Sequence, residues 1–426
     1  MSVIRSTFIA LAVCALAACD NRGLWRDPKL HVLGGSDAAS TGSSGSSGTT
    51  GVSGSTGSGS SNGGSTGLSG SSGSSGGTTG LSGCTFPFEQ QLAVGNGPIS
   101  VAAVDLDGDG RLDLVSANAG DSSVSVLLGY GDGGFAAHQD FPVGQIPSVV
   151  RVADMNHDGR PDLLTSNLHG NSVSVLLGYG DGGFAPKQDA AAGNAPYDIQ
   201  VGDFDRDGKL DVIAANNLDD TLTLLLGDGE GALSKLTTWP TNGDPYALVA
   251  ADLDGDGNPD VAVAVGFSND IEVRLGYGDG GLGAATPYAT GDDPVAITLG
   301  DFNVDGNVDL VTANSIGRSA SVFIGHGDGT LRARTDADTN AASQAIDALD
   351  YDGDGSPDLF VASPDSHSIA LLKGRGTGQF DYTLTYPAGT SPVGLTHGDF
   401  NGDGHVDLAV ADHDANAIRV RLQVCH

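Results

Sequence analysis

The chain has 426 residues, of which 67 are glycine, 53 are acidic and only 19 are lysine or arginine, so its net charge is −34 at pH 7. So acidic a chain repels phosphate backbones, which argues against nucleic-acid binding. After the N-terminal segment, no apolar run approaches the roughly 20 residues that span a bilayer, which excludes a bundle of membrane helices.

The first element in chain order is a secretory signal. Arg5 precedes an apolar stretch at residues 8–16, and small residues follow up to Cys19. The segment is too short and wrongly flanked for a transmembrane helix. Its ending, Leu-Ala-Ala-Cys, resembles the lipobox of bacterial lipoproteins. That resemblance implies a signal peptide at residues 1–18 and a lipid on Cys19, hence an extracytoplasmic protein anchored to a bacterial membrane. An ordinary secretory signal is the alternative, and the choice of membrane stays open.

Residues 19–83 form the next segment, which we predict to be a disordered tether. From residue 40 to residue 83, all but four positions are Ser, Thr or Gly. Such a segment cannot bury enough apolar surface to offset the entropy lost on ordering. A Gly/Ser chain spans about 5–6 Å times the square root of its length, so this one reaches on the order of 45 Å. We interpret it as a leash for a folded domain; low-complexity sequence without a role is the alternative.

Seven copies of one acidic motif follow at a constant spacing. The pattern D-x-[DN]-x-D-G-x-x-D begins at Asp105, Asp154, Asp203, Asp252, Asp301, Asp350 and Asp399, and each step is 49 residues. Seven units of 49 residues account for all of residues 84–426. We therefore predict that residues 84–426 are one domain built from seven repeats.

Each repeat has the periodicity of β-strands. Before the acidic loop, an apolar column alternates with mixed or polar residues, which is typical of a strand with one better-buried face. Two apolar runs follow the loop, at residues 113–115 and 124–128 in the first repeat, and a Gly-rich turn at 129–135 leads to a fourth strand. Four short strands per unit of about 50 residues indicate a propeller blade. The predicted fold is therefore all-β, a seven-bladed β-propeller with one calcium-binding hairpin loop per blade.

Three motifs recur in phase along the array of repeats. They are the acidic loop, the G-x-G-D-G-x-[FL] turn at residues 129–135 and the V-G-x-x-P segment at 143–147. Their combination resembles the FG-GAP/VCBS repeats of integrin α-subunit propellers over residues 84–426. WD-repeat and kelch blades match less well, because neither carries a metal loop in each blade. The resemblance implies that a partner binds the face opposite the metal loops.

The acidic loops have the spacing of a calcium site. Ca²⁺ takes six to eight oxygen ligands, and side chains at positions 1, 3, 5 and 9 together with the carbonyl of position 7 supply them around the glycine of position 6. An EF-hand is excluded, because position 12 is Ser116 in place of Glu. The predicted ligands are Asp105, Asp107, Asp109, Arg111 and Asp113; Asp154, Asn156, Asp158, Arg160 and Asp162; Asp203, Asp205, Asp207, Lys209 and Asp211; Asp252, Asp254, Asp256, Asn258 and Asp260; Asp301, Asn303, Asp305, Asn307 and Asp309; Asp350, Asp352, Asp354, Ser356 and Asp358; and Asp399, Asn401, Asp403, His405 and Asp407.

Up to seven Ca²⁺ ions are expected, and we favour a structural role for them. Solvated Asp-rich turns without metal are the alternative, but carboxylates packed this closely would repel one another. Extracellular calcium modules bind at about 10⁻⁴–10⁻³ M and pin loops in place. A functional role for one of the sites stays open.

The ends of the repeat array predict how the ring closes. The first repeat begins with its fourth strand at residues 85–94, whereas the last repeat stops after its third strand. We therefore predict that the N-terminal strand completes the last blade, which removes open sheet edges. Cys84 and Cys425 fall two repeat positions apart in the hairpin turn, so a disulfide between them would replace the turn that the last blade lacks. Two free thiols are the alternative.

The chain offers no convincing catalytic constellation, and we predict that it is not an enzyme. It contains no G-x-S-x-G elbow, no H-E-x-x-H motif and no phosphate loop. His397 occupies an inner-strand column in the last repeat alone, and we favour a hydrogen-bonded core histidine over a ligand or a base.

A binding or adhesion module fits better, with a protein partner and a monomeric ring. The connections between second and third strands differ most between repeats, at residues 119–122, 168–171, 217–220, 266–269, 315–318, 364–367 and 413–416. A carbohydrate-binding propeller, or a polysaccharide-active enzyme, is the alternative. Asn118, Asn167, Asn216 and Asn314 recur beside these connections, where we favour turn formation over partner binding.

Overall fold

The computed structural model describes residues 84–425, so the predicted signal peptide (1–18), Cys19 and the tether (19–83) lie outside the described residues. The described chain forms seven antiparallel sheets of four strands each, arranged as a seven-bladed β-propeller. The predicted fold class is thereby confirmed. Within residues 84–425, no helix is long and apolar enough to cross a membrane.

Each blade contributes four strands in sequence order, except that the last blade takes its fourth strand from the N-terminus. The first strands of blades 1 to 7 are β2 (Pro98–Val104), β6 (Pro147–Ala153), β10 (Pro196–Gly202), β14 (Pro245–Ala251), β18 (Pro294–Gly300), β22 (Ala345–Leu349) and β26 (Pro392–Gly398). The second strands are β3 (Asp113–Asn118), β7 (Asp162–Asn167), β11 (Asp211–Asn216), β15 (Asp260–Val265), β19 (Asp309–Asn314), β23 (Asp358–Ser363) and β27 (Asp407–Asp412).

The third strands are β4 (Ser123–Leu127), β8 (Ser172–Leu176), β12 (Thr221–Gly227), β16 (Asp270–Arg274), β20 (Ser319–Phe323), β24 (Ser368–Gly374) and β28 (Ala417–Cys425). The fourth strands are β5 (Gln139–Pro142), β9 (Gln188–Ala191), β13 (Leu233–Pro240), β17 (Thr286–Ala289), β21 (Thr335–Asp338), β25 (Phe380–Pro387) and β1 (Cys84–Ala93). Short 3₁₀ helices, Pro364–Ser366 and His413–Ala415, lie between the second and third strands of blades 6 and 7.

The repeat motifs mark where the strands begin. A proline opens six of the seven first strands, where its missing N–H does least harm to the ladder. Blade 6 has Ser343 at that repeat position, and its first strand starts only at Ala345. The last aspartate of each acidic loop is the first residue of a second strand. The loop motif therefore also fixes the register of the blade.

The hydrophobic core lies between neighbouring blades. The second position of each acidic loop carries a large side chain that packs between sheets; Leu106, for example, packs with Val115 of blade 1 and Leu163 of blade 2. The same position holds Phe400 in blade 7, whose ring meets Phe135 of blade 1 at 5.8 Å. The second strands are completely buried, so each blade depends on both neighbours for its stability.

The ring closes as the sequence predicts. Strand β1 pairs with β28 from Cys84 opposite Cys425 to Ala93 opposite Ala417. A disulfide joins Cys84 to Cys425 across this pair and links positions 341 residues apart. Glu89 of β1 also forms ion pairs with Arg419 and Arg421 of β28. The N-terminal strand is therefore held to the last blade by covalent, ionic and ladder contacts.

The connections divide between two faces of the ring. The acidic loops and the hairpins between third and fourth strands share one face, where Gly133 N–H donates to the Phe400 carbonyl at 3.0 Å. The 2–3 and 4–1 connections share the other, where Ala119 N–H donates to the Gly97 carbonyl at 2.9 Å. We call these the acidic-loop face and the opposite face.

Candidate metal centres and the opposite face

Four of the seven acidic loops bring three carboxylates together. In each loop whose third position is Asp, carboxylate oxygens of positions 1, 3 and 9 lie within 4.8 Å of one another. The groups are Asp105, Asp107 and Asp113; Asp203, Asp205 and Asp211; Asp252, Asp254 and Asp260; and Asp350, Asp352 and Asp358. The other loops carry Asn156, Asn303 or Asn401 at position 3, where an amide oxygen takes the place of the carboxylate.

The first aspartate of each loop shapes the turn. In the first loop, Asp105 Oδ1 accepts a 2.8 Å hydrogen bond from Gly108 N–H, and Asp105 Oδ2 accepts one of the same length from Gly110 N–H. Gly110 has a φ of +84°, a conformation that L side chains rarely adopt, which explains the glycine at position 6. The turn wraps the backbone around this carboxylate and directs the neighbouring side chains toward it.

The ninth residue ties the loop to the hairpin beside it. Asp113 accepts hydrogen bonds from Leu106 N–H at 2.8 Å and from Gly129 N–H at 2.7 Å. Burial raises the pKa of Asp113 to about 6 and that of Asp358 to about 7. A bound cation favours the ionised form of such a carboxyl group, so a metal ion would offset the effect of burial.

The fifth position lies outside these groups. Asp109 Oδ1 accepts a hydrogen bond from Arg111 N–H at 3.0 Å, and Asp109 Oδ2 accepts one from Arg111 Nε at 2.7 Å. The same hydrogen bond, from the backbone N–H of position 7 to the side-chain Oδ1 of position 5, occurs in all seven loops. The predicted contributions of position 5 and of the position-7 carbonyl to calcium binding stay predictions.

The donor set fits a hard divalent cation. Asp203 Oδ1 and Asp352 Oδ1 are buried and have no hydrogen-bond partner among the described residues. An acceptor buried in this way is unfavourable unless a cation or a donor meets it. Both oxygens belong to the three-carboxylate groups, and carboxylate oxygens are the ligands that Ca²⁺ prefers. The acidic loops are therefore candidate metal sites, one in each blade.

The sixth loop differs from the others, because a lysine on the third strand of its blade reaches the aspartate at position 3. Lys373 forms ion pairs with Asp352 and with Asp354, the latter at 3.1 Å. The corresponding repeat position is a leucine or isoleucine in every other blade, such as Leu128 in blade 1. The ammonium group of Lys373 thus places a positive charge beside two predicted metal ligands.

The acidic loops also connect one blade to the next. Backbone N–H groups of the hairpin glycines Gly133, Gly280, Gly329 and Gly378 donate to the position-2 carbonyl of the preceding blade's loop, at 2.8–3.0 Å. A loop that loses its shape would therefore release the neighbouring hairpin as well as its own. This contact couples any metal site to the interface between blades.

On the opposite face, the recurring asparagines have a structural role. Asn118 is completely buried and donates to Ser123 Oγ at 3.1 Å and to Ser125 Oγ at 2.8 Å. Equivalent bonds are made by Asn167, Asn216 and Asn314. These carboxamide groups join the second strand to the third strand beside the 2–3 connection. The asparagines therefore bridge two strands in addition to shaping the turn.

His397 is hydrogen-bonded, as predicted, but is not a core residue. Its Nδ1 lies 2.7 Å from Asp347 Oδ2, and its side chain is 39% exposed. Asp347 belongs to the first strand of blade 6 and His397 to that of blade 7, so the pair joins two blades. The hydrogen bond with Asp347 raises the pKa of His397.

Exposed aromatic and aliphatic residues occur on both faces. Tyr130, Tyr179 and Tyr277 lie in the hairpins of the acidic-loop face, whereas Phe267 and Ile316 lie in the 2–3 connections of blades 4 and 5. None of the five is a defined position of a repeat motif with a predicted role. Their one mark in the sequence is a large hydrophobic residue in a connection that should be polar.

A seven-bladed β-propeller with an acidic hairpin loop in each blade defines the class of protein. The FG-GAP-like repeat family matches six overlapping segments, at residues 105–165, 154–214, 203–263, 255–312, 301–361 and 350–410. These matches extend over more than half of the chain. The protein therefore belongs to the FG-GAP-like repeat family, and the predicted resemblance is confirmed. No curated protein sequence matches the chain.

Solved structures share the fold at low sequence identity. BBS1N in complex with ARL6DN is 12% identical and superimposes with a TM-score of 0.58 over 81% of this chain and 97% of that one. Catalytically inactive virginiamycin B lyase from Staphylococcus aureus, with quinupristin, is 16% identical (TM-score 0.52; 79% and 99% covered). An Agrocybe aegerita lectin that recognises non-reducing terminal N-acetylglucosamine is 18% identical (TM-score 0.50; 74% and 86% covered).

Proposed function

We propose that this protein is a calcium-stabilised binding module that is lipid-anchored outside the cytoplasm and presents its opposite face to a protein partner. On this proposal it acts by binding and not by catalysis. The signal at residues 1–18 and the cysteine at position 19 support the anchor, and the acidic loops support calcium as a structural ion. Solved propellers of the same fold include one in complex with a protein and one that recognises a sugar, so the fold accommodates either class.

The observation that carries the proposal is the pair of apolar side chains on the opposite face. Phe267 is 58% exposed and Ile316 is 43% exposed, and they lie in the 2–3 connections of adjacent blades. Large apolar side chains exposed on variable loops are typical of protein contact sites, in which a few aromatic anchors supply most of the affinity. The 2–3 connections vary in sequence, whereas the acidic loops repeat, so the opposite face is the more distinctive surface.

The test compares the two faces of the ring. Full-length protein carrying Phe267→Ala and Ile316→Ala would be used, in calcium, to capture extracytoplasmic proteins from the source cell beside the unchanged protein. Tyr277→Ala is the matched control, because Tyr277 is also in blade 4 and is 62% exposed but lies on the acidic-loop face. We expect the double variant to lose a specific partner that the Tyr277 variant retains. The proposal fails if the Tyr277 variant alone loses the partner, or if the unchanged protein captures none.

The lipid anchor has its own test. Cys19→Ser should remove the mass of the acyl chains from the N-terminal peptide. An N-terminal peptide of the unchanged protein that carries no acyl mass on Cys19 would contradict the anchor. That result would leave the proposed partner face untouched, because the two proposals rest on different parts of the chain.

A further inference from the structure

A groove opens on the opposite face at blade 6. Its volume is about 510 Å³, and its lining comes from the connection between blades 5 and 6, the 2–3 connection of blade 6 and strand β25. Its lining includes Ser363, Ala370, Tyr382 and Thr385. None of the described residues that line the groove is Asp, Glu, Lys or Arg.

The groove exists because blade 6 lacks a polar network that other blades have. In blade 1, Asn118 donates to Ser125 Oγ at 2.8 Å, and Ser125 Oγ donates to Asp140 Oδ1 at 2.6 Å. Blades 2 and 5 repeat this network from Asn167 to Asp189 and from Asn314 to Asp336. Three side chains therefore fill the space between the second, third and fourth strands of those blades.

Blade 6 replaces all three side chains at the same repeat positions. Ser363 stands in place of the asparagine, Ala370 in place of the serine and Thr385 in place of the aspartate. At least two of these changes remove volume, and together they remove the carboxylate and the carboxamide. The space that the network fills in blade 1 is open to a ligand in blade 6.

The wall of the groove holds a hydroxyl group that has no partner. Ser363 is 1% exposed, and its Oγ has no hydrogen-bond partner among the described residues. A buried hydroxyl in this state is unfavourable, and a hydrogen-bonding ligand would relieve it. The groove therefore favours a ligand that carries polar groups of its own.

The rest of the lining defines the chemistry of that ligand. Tyr382 is 43% exposed, and its hydroxyl is hydrogen-bonded to Thr385 Oγ1, which holds the ring in one orientation. Hydroxyl groups and one exposed tyrosine ring, without an Asp, Glu, Lys or Arg side chain, suit a neutral ligand rich in hydroxyls. An ionic ligand would lack a counter-charge, and an apolar ligand would leave Ser363 Oγ unsatisfied.

We propose that this groove binds a neutral saccharide of one or two residues. One face of a sugar ring lies against Tyr382, and a sugar hydroxyl pairs with Ser363 Oγ at the base of the groove. The site is separate from the Phe267 and Ile316 surface and does not depend on the proposed protein partner. It specifies where a carbohydrate would bind on the opposite face.

The experiment fills the groove without weakening the blade. Ser363→Asn combined with Ala370→Ser restores two members of the network found in blade 1, so the double variant should melt at or above the temperature of the unchanged protein. Full-length protein would be screened on an array of neutral and charged glycans, and hits would be measured by isothermal titration calorimetry. We expect a neutral glycan to bind and the double variant to lose that binding.

Two further variants separate the groove from the rest of the surface. Tyr382→Ala should lower the affinity for the same glycan about tenfold, as expected for one lost ring contact. Tyr130→Ala, on the acidic-loop face, and the Phe267→Ala and Ile316→Ala variant should leave it unchanged. The proposal is overturned if no neutral glycan binds, if charged glycans alone bind, or if the groove-filled variant binds as well as the unchanged protein.

Discussion

The hydroxyl of Tyr351 donates a 2.6 Å hydrogen bond to the backbone carbonyl of Cys84, although the two residues are 267 positions apart in the chain. Tyr351 occupies the second position of the blade 6 acidic loop, where other blades have Leu, Met or Phe. Its ring also packs against Phe86 at 6.0 Å. Blade 6 therefore contacts the N-terminal strand next to the disulfide, in addition to the ladder that this strand forms with β28.

Tyr351→Phe should destabilise the ring through this one bond. The substitution keeps the ring packing but leaves the buried Cys84 carbonyl without its donor, which costs about 1–3 kcal/mol. Urea unfolding would show a lower midpoint with an unchanged slope. Tyr130→Phe, at an exposed hairpin position, is the control and should leave the midpoint unchanged. Equal midpoints for Tyr351→Phe and the unchanged protein would show that the bond adds nothing to closure.

Loss of the disulfide should have a larger effect than loss of this hydrogen bond. Cys84 and Cys425 close a loop of 341 positions, and constraining so long a loop stabilises by about 2–5 kcal/mol. Cys84→Ser, Cys425→Ser and the double variant should therefore unfold at the same lower urea concentration. A reducing agent should bring the unchanged protein to that same midpoint. A midpoint that does not respond to reductant would contradict this role.

The repeat phase made the closed ring predictable from sequence. Thr85 aligns with a fourth strand and Leu422 ends a third strand, so the sequence already indicated that these two strands pair with each other. The grouping of three carboxylates in four of the loops was equally predictable, because positions 1, 3 and 9 are close in sequence as well as in space.

Three features could not be predicted, each for a physical reason. Lys373 and Asp352 are 21 positions apart in the chain, and only the folded structure brings them into contact. The groove at Ser363 forms where blade 6 lacks the hydrogen-bond network of blade 1. That network depends on contacts between strands, which the sequence alone does not show. His397 was expected in the core because its repeat column is apolar elsewhere, but that column is only partly buried or exposed in every blade, so its apolar pattern does not mark a core position.

Calcium removal should weaken the whole ring and not one loop. Ligand binding stabilises by about 1.4–2.7 kcal/mol per site when calcium exceeds its Kd by tenfold to a hundredfold. The hairpin glycines that bond to the neighbouring loops spread this loss across blade interfaces. A chelator should thus lower the melting temperature strongly, and calcium should restore it.

A single loop can be tested against a charge control. Asp254→Ala removes the position-3 side-chain oxygen from the blade 4 group, which Asn would retain as it does in three other loops, and should lower the number of bound ions by one. Glu230→Gln makes the same change of charge in an exposed hairpin outside the metal groups and should leave the count unchanged. Loss of an ion from both variants would indicate a general electrostatic effect, and loss from neither would remove Asp254 from the ligand set.

Lys373→Leu should raise the calcium affinity of the sixth loop. The ammonium group lies beside Asp352 and Asp354 and repels a divalent cation, and leucine is the residue that most other blades use. Removal of a unit charge at this range is worth about 1 kcal/mol or more, hence about a fivefold to tenfold gain in affinity. Titration calorimetry of both proteins would measure it.

Lys209→Leu is the matched control for that prediction. Lys209 pairs with Asp207 at 2.7 Å, but this aspartate is at position 5 of the third loop, outside its three-carboxylate group. Its removal should change calcium binding less than the removal of Lys373 does. A larger effect at Lys209 would place position 5 nearer the ion than position 3.

The pair of His397 and Asp347 should make stability depend on pH in one direction. Their hydrogen bond raises the pKa of His397, so the folded protein keeps a proton that the unfolded chain releases. The stabilisation is complete below the unfolded histidine pKa of about 6.5 and is lost as pH rises through the higher pKa of the folded state. His397→Gln should therefore lower the free energy of unfolding more at about pH 5.5 than at about pH 8.5. Because the pair is partly exposed, the difference should be no more than about 1 kcal/mol. Combining His397→Gln with Asp347→Asn should cost little beyond either change alone, and a loss equal at both pH values would show that the pair carries no charge.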